Sequence, residues 1–165
     1  MYFKRISSLS LLFLLSLGGS AFAQSANDDV TISEAYVRAV PPGQPNSAAF
    51  MEIKNGGGVD HSLVSGSSPV SEVVELHTHT MEGGMMRMRR IDKIDLPAGQ
   101  EVSLKPGGLH VMLIGLKQPL APEGSVPITL RYEDGSEVTV KAPVRKLQMK
   151  MQMPGGEGGV KPMAH

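Results

Sequence analysis

Cysteine is absent from all 165 residues, and so is tryptophan. Without cysteine no disulfide can staple the fold, so stability has to come from a packed core. Any metal held through sulfur would have to use methionine, and no lipid can be attached to a first mature cysteine. Neither sign of charge is in surplus, with 16 basic against 16 acidic side chains. No basic stripe is present, which argues against a nucleic-acid partner. No apolar run reaches the ~20 residues that a membrane-spanning helix needs. Long amphipathic helical patterns and internal repeats are missing as well, and aromatics make up only 4% of the chain.

The first residues carry a targeting pattern. Lys4 and Arg5 precede an apolar stretch from about Ile6 to Leu17, and Ala21-Phe22-Ala23 supplies the small-x-small pattern of a signal peptidase site. The expectation is a signal peptide over residues 1–23, cleaved after Ala23, and a soluble periplasmic protein with no membrane anchor. Losing Lys4 and Arg5 leaves 14 basic against 16 acidic groups. About 140 residues then remain, enough for one domain with its own core.

The rest reads as all-β. Candidate strands run over Val30–Val40, Ser47–Lys54, Leu63–Ser68, Glu72–Thr80, Met85–Ile91, Glu101–Leu104, Leu109–Ile114, Val126–Tyr132 and Glu137–Val144. Turn chemistry separates most of them, as at Pro41-Pro42-Gly43, Pro106-Gly107-Gly108 and Asp134-Gly135. Many short strands at such spacing predict a sandwich or barrel over residues 24–145. From about residue 146 to 165 the chain turns Gly/Pro-rich and loses bulky core residues after Leu147, which predicts a flexible tail. Yet Met149, Met151, Met153, Met163 and His165 lie there. Methionine normally fills gaps in cores, and a tail has none to fill.

His77, Met88, His110 and Met112 stand out among the remaining polar and sulfur side chains. Two imidazoles and two thioethers make a soft donor set that favours Cu(I) over harder ions. Alternation along a strand puts His110 and Met112 on one face, His77 and His79 on one face, and Met86 and Met88 on one face. The strands bearing His77 and Met88 are close enough in sequence to form a hairpin, and a third, edge strand could complete a compact site at one end of the sandwich. Each residue also has a plain reading. His77 and His79 could be solvent-face histidines, and Met88 and Met112 could be core. His61 reads as a surface residue and Met51 as core. Met81, Met85 and Met86 could line the site or cover it. Ligand chemistry alone leaves both readings open.

The run ELHTHTMEGGMMRMRRIDKIDLPAGQEVSLKPGGLHVMLIGLKQPL resembles the core of the periplasmic copper chaperones of the PCuAC family. Their signature is His, ten residues, Met, twenty-one residues, His, one residue, Met. His77, Met88, His110 and Met112 reproduce that spacing in full. The segment YVRAVPPGQPNSAAFMEIKN is similar to the family as well, except that Tyr36 stands where tryptophan is common. The resemblance covers residues from about 30 to 144. It implies a cupredoxin-like Greek-key barrel, not an enzyme, that binds one Cu(I) through those four residues. It also implies delivery of copper to the copper A centre of cytochrome oxidase, beside Sco-type copper proteins. Some members carry a Met/His-rich extension like residues 146–165, linked to a second copper site that can involve Cu(II).

The chemistry is compatible with this. Thioethers stay neutral at ordinary pH and cannot form disulfides, which suits an oxidising compartment. Two other classes compete. His77-Thr78-His79 with Glu82 faintly imitates a cupin metalloenzyme, though Glu82 comes one residue early. A metal-free Ig-like domain would explain the strands but would leave the ligand spacing as an accident. A blue-copper electron-transfer site is excluded, because it needs a cysteine thiolate.

Overall fold

The computed structural model describes residues 25–146. The signal-peptide assignment and the Met/His-rich tail lie outside the described residues. A single turn of helix, α1 (Ala26–Asp29), leads into ten strands: β1 (Val30–Arg38), β2 (Asn46–Asn55), β3 (His61–Ser67), β4 (Ser71–Glu82), β5 (Met85–Ile91), β6 (Ile94–Leu96), β7 (Glu101–Leu104), β8 (His110–Leu116), β9 (Ser125–Tyr132) and β10 (Glu137–Arg145). All nine expected strands are present. The three-residue β6 was not anticipated, because Ile94-Asp95-Leu96 is too short to show a period of two.

The strands are hydrogen-bonded in the order β5-β4-β8-β2-β1-β10-β9-β3-β6, with β7 also paired to β2. Most pairs are antiparallel. The exception joins the two halves, where Val37 and Arg38 of β1 run parallel to Val144 and Arg145 of β10. The halves fold over one another, since an added Cβ on Gly66 of β3 would stand 3.0 Å from the Val74 side chain of β4. Between them lies one aliphatic core. Met51, Ile53, Leu76, Val111 and Leu113 enter it from one half, and Leu63, Leu96, Ile128, Leu130 and Val144 from the other. This is the two-layer solution by which a sheet buries one face. Met51 is core, as expected, at 1% exposure.

Two local features set the register near the site. Glu34 and Ala35 together oppose Met51, a bulge between β1 and β2, and Glu34 takes φ +51°. Beyond the bulge Tyr36 pairs with Phe50 on the face away from the core. The β4–β5 hairpin closes on Gly83 and Gly84, with φ of +58° and +78°. Two successive positive φ angles match the right-handed twist of the flanking strands, and glycine adopts them without strain. Among the described residues, no helix is long and apolar enough to cross a membrane.

Candidate metal centre

β5, β4 and β8 are consecutive in the sheet. Leu76, Val111 and Leu113 point into the core. By alternation, His77, His110 and Met112 occupy the opposite, outward face. The expected hairpin forms, and its register places the candidate ligands. His77 is directly opposite His110 on β8, and Met112 lies opposite Glu75. On the other side, Arg90 is opposite His77 and Met88 is opposite His79. His77 is therefore the hub of the set. His110 is its direct cross-strand neighbour, and Met88 and Met112 are its two diagonal neighbours, one on each flanking strand. Diagonal pairs lie about 7–8 Å apart, within reach of long side chains. One detail of the expectation is corrected. The set lies on the outward face of the sheet, and the third strand, β8, is interior to the sheet while β5 is the edge.

The two imidazoles are held in defined tautomers. His110 is almost fully buried and donates from Nδ1 to the Gly108 carbonyl at 2.9 Å. A carbonyl only accepts, so Nδ1 carries the proton and Nε2 keeps its lone pair. Burial pushes the His110 pKa below the ordinary histidine range. The Gly108 carbonyl opposes that shift, and neighbouring His79, His77 and Arg38 add to it. The ring is neutral at pH 7, as a metal ligand must be. His77 is held from the other end. Its Nε2 donates to Glu75 Oε2 at 2.8 Å, and Arg90 Nη1 approaches Glu75 Oε1 at 3.5 Å. That leaves Nδ1 of His77 as the acceptor nitrogen, buried and without a hydrogen-bond partner. An unpaired buried acceptor is costly, and native proteins keep few of them. A carboxylate bonded to the far nitrogen of a histidine is the usual outer support of a metal-binding imidazole.

The thioethers differ in access. Met112 is half-buried, whereas Met88 is 46% exposed. Phe50 sits 6.2 Å from the His110 ring, and Tyr36 stacks beyond it. The site thus has an apolar wall on the β2 side and an open side toward the hairpin. Among the described residues, no group of three or more His, Cys, Asp or Glu side chains could hold a metal. The cupin-like reading loses its acid as well. Glu82 alternates to the face opposite His77 and His79, and Arg89 grips it through two bonds at 2.5 and 3.0 Å.

Three participants were not singled out from the sequence. His79 was left open. Its ring lies 5.1 Å from that of His110, and its Nδ1 approaches the Gly108 carbonyl at 3.4 Å. Glu75 shares the face by the same alternation, which could have been read from Glu75, His77 and His79 together. Gly108 contributes only a main-chain oxygen, which side-chain motifs do not reveal.

His61 is the clear correction. It is a buried residue at 6% exposure, and it lies away from the candidate ligands, on β3. Its Nδ1 bonds Glu133 Oε1 at 2.7 Å and its Nε2 approaches Asp29 Oδ2 at 3.3 Å. The Ser62 N–H donates to the other oxygen of Glu133 at 2.6 Å. Burial by itself would lower the His61 pKa, but the bonds and charges of Glu133 and Asp29 outweigh it and hold the pKa above the ordinary range. The sequence misleads here because both partners are distant along the chain.

The family model "Putative lipoprotein LpqE-like" matches residues 30–144. This chain belongs to the LpqE-like family. The putative lipoprotein Lxx21020 of Leifsonia xyli subsp. xyli is 36% identical over 119 residues, covering 72% of this chain and 70% of its own. Among solved structures, the LpqE-like fold is shared by the copper-bound PCuAC domain from PmoF2. That match has 25% identity, a TM-score of 0.62, and coverage of 72% of this chain and 93% of the other. The solution structure of CuI-DR1885 from Deinococcus radiodurans is 37% identical, with a TM-score of 0.59 and coverage of 70% and 77%. The resemblance to PCuAC proteins read from the sequence stands, and with it the all-β, cupredoxin-like class.

Proposed function

We propose that this LpqE-like protein is a periplasmic Cu(I) chaperone. His77 Nδ1, His110 Nε2 and the thioethers of Met88 and Met112 take one Cu(I), and the cargo passes to the copper A centre of cytochrome oxidase, with a Sco-type protein as a further partner. The observation that carries this reading is the buried, unpaired Nδ1 of His77, with Glu75 fixed on its other nitrogen and both methionines on its diagonals. The likeness to the copper-bound PmoF2 domain and to CuI-DR1885 supports it. Thioethers release no proton on binding, and the exposed thioether of Met88 permits stepwise ligand exchange with a recipient. No catalytic step is required.

The tail donors Met149, Met151, Met153, Met163 and His165 form a second, weaker copper site in the same proposal. The thioethers there favour Cu(I), and the imidazole favours Cu(II). Tethering keeps them at high effective concentration near the folded site.

Anaerobic Cu(I) titration with X-ray absorption tests both parts, on the full chain and on one ending at Val144. One tightly held equivalent with mixed nitrogen and sulfur scattering is expected in each, and a higher total copper stoichiometry in the full chain. Scattering from nitrogen and oxygen alone would overturn the four-ligand site. Equal stoichiometry in the two chains would remove the tail site.

A further inference from the structure

Two methionines at the tip of the β4–β5 hairpin have no packing role. Met81 and Met86 are directly opposite one another in the register, yet they are 68% and 60% exposed. They occupy the same outward face as His77 and His79, two register positions beyond His79 and Met88. Methionine usually fills gaps in a core, and large apolar side chains exposed side by side are unfavourable in water. The third exposed methionine of the tip, Met85, pairs with Glu82 on the other face.

We propose that Met81, Met86 and His79 form a further, outer Cu(I) site from which the metal is loaded onto the four-ligand centre. The register supplies the donor set. Met86 is the diagonal neighbour of His79, and Met81 follows His79 by two residues on the same face. Two thioethers and one imidazole make a three-coordinate soft site, suited to Cu(I) and poor for harder ions. His79 sits at the boundary between the two sites, its ring 5.1 Å from that of His110. A copper held on the hairpin would thus lie next to its destination. Exposure makes the outer site the faster to fill and the weaker to hold. Redox balance is not at issue, because Cu(I) moves between neutral ligands without electron transfer.

This inference rests on the proposed role of His77, Met88, His110 and Met112, and the test separates the two. The full chain, labelled with 13C at the methionine methyl groups, is titrated anaerobically with Cu(I) alone. The first equivalent is expected to shift Met88 and Met112, and further copper, shared with the tail methionines, to shift Met81 and Met86 while Met85 stays in place. Met81→Leu with Met86→Leu keeps the apolar bulk and removes the sulfur. This variant should retain the first equivalent at wild-type affinity, lose the hairpin-bound copper, and load more slowly from a Cu(I)–bathocuproine complex. Met85→Leu should load at the wild-type rate. If the Met81 and Met86 methyls stay unmoved at copper saturation, or if the double leucine variant loads like wild type, the outer site is refuted whether or not the four-ligand centre binds. If Met81 and Met86 shift while Met88 and Met112 never do, the outer site stands and the four-ligand reading fails.

Discussion

The two histidine clusters of this protein sit in different halves of one sheet and are built on opposite principles. His61 is enclosed and saturated, since each of its ring nitrogens faces a carboxylate, Glu133 on one side and Asp29 on the other. Around His77 and His110 the carboxylate is confined to one nitrogen of one ring. The other ring is oriented by a main-chain carbonyl, and thioethers, a phenyl ring and the His79 imidazole surround the pair. Charge partners raise the pKa of the first histidine, and burial lowers that of His110. The difference teaches how to tell a structural histidine from a ligand. The structural one spends both nitrogens on neighbours. The proposed ligand His77 is held by one nitrogen and keeps the other unpaired.

The sharpest way to break this contrast is to exchange the roles. His61→Ala removes the centre of a buried charged cluster and should cost about 3–5 kcal/mol in denaturant unfolding. Cu(I) affinity should stay at the wild-type value, measured by anaerobic competition with a chromogenic chelator. A weakened copper site in a folded His61→Ala protein would show that the clusters are not independent.

His77→Ala and Met112→Ala should do the reverse. Each is expected to lower Cu(I) affinity by more than ~100-fold, beyond the range for loss of an outer support. Unfolding in the metal-free state should change far less than for His61→Ala. Copper itself should raise the melting point, because a ligand restricted to the native state contributes about 2.7 kcal/mol at one hundred times its dissociation constant. If the metal-free chain were random coil by circular dichroism, the core would not be self-sufficient.

A smaller effect belongs to Glu75. Replacing it by Gln preserves the shape and removes the charge beside His77 Nε2, so affinity should fall roughly 10–100-fold with no change in stoichiometry. Unchanged affinity would reduce the Glu75–His77 bond to a surface contact.

The smallest expected effect is on pH dependence. A His61 pKa above 6.5 gives stability that is fully present below 6.5 and lost as pH rises through the folded-state value. Glu133 is shifted the other way. Burial would raise its pKa, but the Ser62 N–H and His61 outweigh that and lower it below 4.5. Its contribution is therefore present above 4.5 and lost as pH falls through its own folded value. The melting temperature should peak between about 4.5 and 6.5, and the decline on the alkaline side should flatten in His61→Gln. A wild-type curve that stays level across pH 6–9 would contradict the cluster's role.

What the sequence determined alone was local and periodic. Period-two alternation and glycine-proline turns marked nine strands, because a half-buried strand must alternate and a tight turn needs particular φ angles. The same alternation put His110 with Met112 and His77 with His79 on common faces. The spacing of His77, Met88, His110 and Met112 by itself pointed to the family. Only the tertiary structure decided which strands are neighbours, and so made His77 the hub with Met88 and Met112 on its diagonals. It also decided the fate of His61, whose partners are 32 and 72 residues away along the chain. Pairing across such distances is set by how the whole core closes, and neither a residue's own neighbours nor its periodicity contains that information. For the same reason the unpaired nitrogen of His77 and the exposed methionine pair at the hairpin tip became visible only once the sheet was assembled.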